Sequence, residues 1–188
     1  TDIVRPHLGE HSEVIALDFP MTREKQILHD AWQKNGLLVK EQLVQGKDCV
    51  FLTLGDPMTY STFGYLSRTL LELEPELPIR SIPGITSYQA AASESLTILA
   101  EQEESLAIVS GALGGEHISR MADQVETLVV LKAYKQFDGI KKALAESGRS
   151  SSVFASKVGH ENHSILTDME HAPEKPGYFS LIISPNRK

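Results

Sequence analysis

Cysteine occurs once in these 188 residues, at Cys49, and a single thiol builds neither an internal disulfide nor a cysteine-based zinc site. A reducing compartment is the expectation. No apolar run approaches the roughly 20 residues of a membrane span. The opening Thr1–Asp2–Ile3–Val4–Arg5 has no signal-peptide layout, so a soluble, cytoplasmic chain with no membrane partner is expected. An excess of basic residues is also missing, with 18 Lys plus Arg against 25 Asp plus Glu and a net charge of −7. Residues 1–100 carry 8 against 13 and residues 101–188 carry 10 against 12. Neither half offers the broad cationic face of a nucleic-acid partner. The glycine-rich phosphate loops are absent too. Gly111–Ala112–Leu113–Gly114–Gly115 has neither the Gly-Lys-Ser/Thr ending nor the GxGxxG spacing, which removes support for nucleotide hydrolysis and dinucleotide binding. His160 and His163 stand in a loop without the i, i+4 spacing of a helical zinc site, so a solvated turn is favoured and no metal is expected.

With 41% hydrophobic and 23% charged residues, the chain has ordinary globular composition and enough apolar surface for a core. Val14, Ile15, Leu17 and Phe19 read as a strand ended by Pro20. Thr22 opens a helix through Ile27, Leu28, Ala31 and Trp32, which Asn35–Gly36 is expected to interrupt before a second helical stretch ending at Gly46. Cys49–Leu54 reads as a buried strand, then Gly55–Asp56–Pro57 as a tight turn, and Phe63, Leu66, Leu70 and Leu73 as a helix. The pattern repeats with strand Ile79–Ile82, turn Pro83–Gly84 and an alanine-rich helix opened by Thr86.

Strands are expected again at Leu106–Val109, Thr127–Leu131, Ser152–Ala155, near Ile165 and at Phe179–Ile183, with helices to about Val125 and over Phe137–Glu146. The fold class is α/β, as two α/β domains, residues 1–100 and 101–188, with the boundary between Leu96 and Glu104. The first sheet is expected to be mainly parallel and the second mixed.

Open α/β sheets bind ligands where strands end, because backbone groups released from the ladder converge there. Two readings stand for Gly55–Asp56–Pro57: plain turn chemistry with a capping Asp, or a ligand turn in which Gly55 permits close approach, Asp56 offers a carboxylate and Pro57 stiffens the bend. Thr86 and Ser87 likewise either cap a helix or face the same crevice. Lys132 and Lys157 each follow a strand, and either mark where the strand reaches water or supply cations for an anionic ligand.

Phe51–Leu52–Thr53–Leu54–Gly55–Asp56–Pro57–Met58–Thr59–Tyr60–Ser61–Thr62, Ile82–Pro83–Gly84–Ile85–Thr86–Ser87 and Leu128–Lys132 together resemble the tetrapyrrole methylases. Tyr60–Ser61–Thr62 and Ser156–Lys157–Val158–Gly159–His160–Glu161–Asn162 are most similar to the branch acting on carbon 20 of precorrin-2 or cobalt-factor II in cobalamin biosynthesis. The resemblance runs over essentially the whole chain. It implies a homodimer binding S-adenosylmethionine in an interdomain cleft, through Leu54, Gly55, Asp56, Thr59, Thr86, Ser87, Lys132, Ala133 and Val158. The family opens with a strand and a Gly-x-Gly-Pro-Gly-Asp-Pro loop on the substrate side. This sequence begins beyond them, so a truncated chain or a missing loop is expected.

Methyl transfer from a sulfonium needs no metal and no covalent nucleophile, since positioning alone supplies about 7 kcal/mol or more and a dry pocket keeps the cation poorly solvated. Asp56 is the candidate for polar assistance and Lys132 for holding the acceptor's carboxylates, with Arg5, Lys157 and Tyr60 on the substrate side. Arg5, Lys132 and Lys157 would offset locally the mismatch between a carboxylate-rich tetrapyrrole and a protein of charge −7. The alternatives are methylation at another tetrapyrrole position, a tetrapyrrole metal chelatase, and a catalytically inert binding module.

Overall fold

The computed structural model describes residues 4–149 and 151–186. Two compact units divide between Gly84 and Ile85. The first is built on helices α1 (Lys25–Val44) and α2 (Phe63–Leu73). Asn35–Gly36 does not interrupt α1. Asn35 is buried and its side-chain amide donates to the Asp18 carbonyl at 2.7 Å. Gly36 is where the two helices touch: a Cβ there would lie 2.8 Å from Thr69 Cγ2 and 3.1 Å from Leu73 Cδ1. The glycine that lowers helix propensity is retained for this close approach. Trp32 of α1 stacks on Tyr65 of α2, with centroids 4.5 Å apart and planes 5° from parallel, and the Arg68 guanidinium lies 5.3 Å from the Tyr65 ring centroid.

The expected parallel sheet of this unit is corrected. Among the described residues, no strand ladder forms over 13–19, 49–54 or 79–82. Val50 is 80% exposed and Ile82 72% exposed. An apolar run supplies the tendency to extend, but a ladder needs a partner in register, and none of these segments pairs with another.

The second unit holds one five-stranded sheet with β1 (Leu106–Ser110), β2 (Thr127–Leu131), β3 (Val153–Ser156), β4 (Ser164–Leu166) and β5 (Ser180–Pro185). The order is β1-β2-β5-β3-β4, parallel only between β1 and β2 and antiparallel elsewhere, as the expected mixed sheet requires. Three helices cover it: α3 (Ser87–Glu94), α4 (Gly115–Ala122) and α5 (Phe137–Glu146). Strand alternation sorts β2 between two cores. Leu128 and Val130 pack with Ile118, Phe137 and Ile140 of α4 and α5, whereas Val129 packs with Ala91 and Ala92 of α3. Because α3 lies against this sheet, the boundary expected between Leu96 and Glu104 falls inside the second compact unit.

Arg149 closes the lower end of the sheet. Its side chain is fully buried, and its guanidinium donates to the carbonyls of Glu126 at 3.1 Å, Ser184 at 2.5 Å and Ala122 at 2.6 Å, and to that of Val125. Four carbonyls from the α4–β2 turn and from β5 are thus satisfied by one fork-shaped cation. Arg149→Met fills the volume but leaves those acceptors without their donor. The expected loss is about 3 kcal/mol of unfolding free energy, measured as a lowered urea midpoint at constant slope; an unchanged midpoint would refute the role.

Candidate active site

The Gly55–Asp56–Pro57 turn and the Pro83–Gly84 turn meet within the first unit. Asp56 Oδ1 accepts the Gly84 N–H at 3.2 Å, while Oδ2 accepts the Met58 N–H at 2.9 Å and the Thr59 hydroxyl at 3.1 Å. Gly55 adopts φ 81°, a conformation that suits glycine. Gly84 is excluded from carrying a side chain for a different reason, since its Cβ would sit 2.3 Å from the Gly55 carbonyl oxygen. Asp56 therefore combines the turn chemistry of the first reading, through the Met58 N–H, with a bond across to the second turn. It ties one turn to the other.

The Gly84 N–H, foremost, and then the Met58 N–H and Thr59 hydroxyl hold the Asp56 carboxyl below its ordinary value, against the opposing effect of partial burial. Both oxygens of an anion so held are already committed, which makes it a weak proton acceptor. Ser61 anchors the next segment, its hydroxyl accepting the Phe63 N–H at 3.2 Å at the start of α2 and lying 3.2 Å from the Thr53 hydroxyl. Tyr60 between them holds a left-handed backbone, φ 52°. Arg5 lies in a short 3-10 turn, Arg5–His7, exposed, and its guanidinium makes no ion pair among the described residues.

In the second unit Thr86 is buried as the N-cap of α3. Its hydroxyl accepts the Gln89 N–H at 3.3 Å and donates to Gln89 Oε1 at 2.8 Å, while the Thr86 N–H donates to the same oxygen at 3.1 Å. This reciprocal capping box uses the Thr86 hydroxyl fully and leaves Ser87 as the first residue of the helix.

β1, β2 and β3 all run opposite to β5 or parallel to a strand that does, so they end on one edge of the sheet, where β5 begins. Lys132 and Ala133 follow β2 there, and Lys157 and Val158 follow β3. Ala133 is buried and Val158 packs on the α3 side of the sheet. Lys132 and Lys157 are both left-handed, φ 56° and 52°. Such a conformation costs a non-glycine residue about 1 kcal/mol or more. Three of the five left-handed non-glycine residues among those described, Tyr60, Lys132 and Lys157, thus coincide with positions singled out from sequence.

The loop after β3 does not present two free imidazoles. His163 Nδ1 donates to the His160 carbonyl at 2.9 Å and its Nε2 pairs with Glu94 of α3. The His160 carbonyl first, and then Glu94, raise the His163 pKa above its ordinary value. The ring of His160 lies 6.0 Å from that of Phe179. Sequence reasoning missed the aromatic residues of this edge. Tyr178 stands 5.4 Å from Tyr134 and 5.2 Å from Phe179, centroid to centroid. The available signal was their position, with Tyr134 just past β2 and Tyr178–Phe179 just before β5. A cavity of about 660 Å³ opens at the other edge, among Glu101, Glu104, Asp123, Glu126 and Asn186, and holds none of the sequence-predicted site residues.

Residues 1–172 match the sequence model of the tetrapyrrole (corrin/porphyrin) methylases. The chain is 34% identical over 146 residues to the cobalt-precorrin-2 C(20)-methyltransferase of Salmonella typhimurium, covering 78% of this chain and 60% of that one. It is 26% identical over 195 residues to the precorrin-2 C(20)-methyltransferase of Sinorhizobium sp., covering 99% and 77%. Among solved structures, the methyltransferase CobJ superposes with a TM-score of 0.65 at 20% identity, over 83% of this chain and 73% of that one. The uroporphyrin-III C-methyltransferase of Thermus thermophilus complexed with S-adenosylhomocysteine superposes at 0.58 and 23%, over 87% and 74%. The chain spans 60% of the Salmonella relative's length.

Two outcomes test the Asp56 clamp. Asp56→Ala removes hydrogen-exchange protection of the Gly84 amide while α4 and α5 keep theirs; retained protection would contradict the clamp. Because the folded Asp56 pKa lies below the unfolded one, its contribution to stability is present above the unfolded value and is lost as pH falls through the folded value. Protection of Gly84 should fall in that acid window in wild type and not in Asp56→Asn.

Proposed function

This chain belongs to the tetrapyrrole (corrin/porphyrin) methylases, and on that footing we propose that it methylates carbon 20 of precorrin-2 or cobalt-factor II in cobalamin biosynthesis, with S-adenosylmethionine as donor. The observation that carries the reading is the Asp56 clamp, because it gives a physical role to the two glycine turns by which the sequence resembles the family.

The residues fit the donor. Leu54–Gly55–Asp56 and Thr59 offer an exposed apolar side chain, a side-chain-free turn, a carboxylate whose pKa is held below its ordinary value and a hydroxyl, with no basic group among them. That set accepts a molecule carrying a sulfonium and an ammonium, whereas a lysine in the same turn would repel both. S-adenosylmethionine supplies a methyl group already activated by its positive sulfur. What remains for the protein is to hold donor and acceptor in line and to keep water out.

In this reading Asp56 is a positioning residue. Its carboxylate fixes the spacing of the turns around Gly55 and Gly84, and its lowered pKa suits polar assistance and not proton abstraction. Lys132 and Lys157 hold acceptor carboxylates from the sheet edge, Ala133, Val158 and Ser87 stay in the donor-side roles the resemblance implies, Tyr60 stays on the substrate side, and Arg5 adds positive charge there. The engagement of both His163 ring nitrogens, by the His160 carbonyl and by Glu94, speaks against the chelatase alternative, which would draw its metal ligands from that loop. The homodimer and the cytoplasmic location belong to the same proposal; no helix among the described residues is long and apolar enough to cross a membrane.

Calorimetric titration with S-adenosylhomocysteine should give saturable binding at one site per chain. Incubation with S-adenosylmethionine and either acceptor should yield S-adenosylhomocysteine and a product heavier by one methylene unit. Absence of binding at millimolar ligand, or turnover of neither acceptor, would reject the assignment. Asp56→Ala should weaken S-adenosylhomocysteine by about tenfold, the 1.4 kcal/mol scale of one charge-assisted positioning contact.

A further inference from the structure

We propose that Tyr134, Tyr178 and Phe179, at the carboxyl edge of the second unit's sheet, form the surface against which the acceptor's conjugated ring lies, with Lys135 beside them receiving a carboxylate. The inference rests on the reading of the acceptor as a tetrapyrrole.

These three rings come from two separate loops yet touch one another, Tyr178 being 5.4 Å from Tyr134 and 5.2 Å from Phe179. The assembly is held in place from below. The Lys157 N–H donates to the Phe179 carbonyl at 2.8 Å, and Gly111 lets the loop after β2 approach, since a Cβ there would meet Ala133 Cα and the Lys132 carbonyl at 3.0 Å. Nevertheless Tyr178 is 48% exposed and Phe179 52% exposed, and neither joins either hydrophobic core. Aromatic rings that are fixed by neighbours but left half in water do little for stability and present flat apolar faces to a ligand.

Charge narrows the ligand. The loops leaving β1, β2 and β3, as far as His163, carry Lys132, Lys135 and Lys157 against Glu161 alone, in a protein of net charge −7. The Lys135 ammonium already lies 5.9 Å from the Tyr134 ring centroid, at the margin of the aromatic group. Flat faces flanked by lysines suit a planar, conjugated ring with carboxylates at its rim. An aliphatic acid would use the lysines and waste the rings; a neutral aromatic would do the reverse.

Uroporphyrin I, a planar porphyrin bearing carboxylate arms, serves as the probe with the full chain, its binding followed by visible absorbance. S-adenosylhomocysteine binding and thermal melting are measured on the same samples. Wild type should bind both ligands. Tyr178→Leu/Phe179→Leu should weaken uroporphyrin I by about tenfold, the scale of losing aromatic stacking, with S-adenosylhomocysteine affinity unchanged. Tyr178→Phe should bind as wild type, and Lys135→Gln should reduce the salt dependence of porphyrin binding.

The single variant Phe179→Leu, expected to show a smaller loss in the same direction, replaces the double variant if that one melts early. Undiminished porphyrin binding in a folded leucine variant overturns the inference while leaving the methyltransferase reading intact. So does a wild type that binds S-adenosylhomocysteine but no porphyrin, or displacement of bound porphyrin by equimolar ATP. A wild type that binds no S-adenosylhomocysteine refutes the underlying reading and this inference with it.

Discussion

One carboxylate organises the candidate site. Asp56 sits where two turns approach so closely that Gly84 has no room for a side chain against the Gly55 carbonyl, and its two oxygens collect three donors. Close backbone approach is ordinarily opposed by the N–H and C=O groups it would leave unpaired. Here the anion satisfies an N–H from each turn and so makes the approach stable. The same commitment lowers its basicity, and one interaction thereby determines both what the site can hold and what Asp56 cannot do.

Much of the second unit was legible in the sequence because its signals were local and mutually consistent. Thr127–Leu131 is a continuous β-branched and leucine run, and Phe137, Ile140, Ala143 and Leu144 recur at helical spacing; both elements fall where periodicity puts them. Thr86 with Gln89 three residues on is a capping box in sequence and in space. The first unit was less legible. Asn35–Gly36 looks like a break because both residues weaken isolated helices, but tertiary contacts to Asp18 and Thr69 give each a reason to lie inside α1. The runs at 49–54 and 79–82 have the composition of strands without a ladder, since pairing depends on what lies alongside and not on the run itself.

At the site the turns were readable from position and the clamp was not. Nothing in Gly55–Asp56–Pro57 reveals that the carboxylate reaches a backbone N–H 28 residues later. The lysines after β2 and β3 were visible because a charge after an apolar run marks a strand end, whereas Tyr178 and Phe179 precede their strand and look like its first apolar residues. Only the sheet order separates them, by placing Ser180 at the first ladder position and the two rings outside it.

That order has a consequence for how the chain is made. β5 follows β1 to β4 in sequence yet lies between β2 and β3, and it also supplies the Ser184 carbonyl to Arg149. Until it emerges from the ribosome, β1–β2 and β3–β4 are two separate hairpin-sized fragments, each with an apolar edge facing nothing. The nascent chain must therefore wait for this strand before the sheet can close, and during that interval those two edges are exposed to intermolecular pairing.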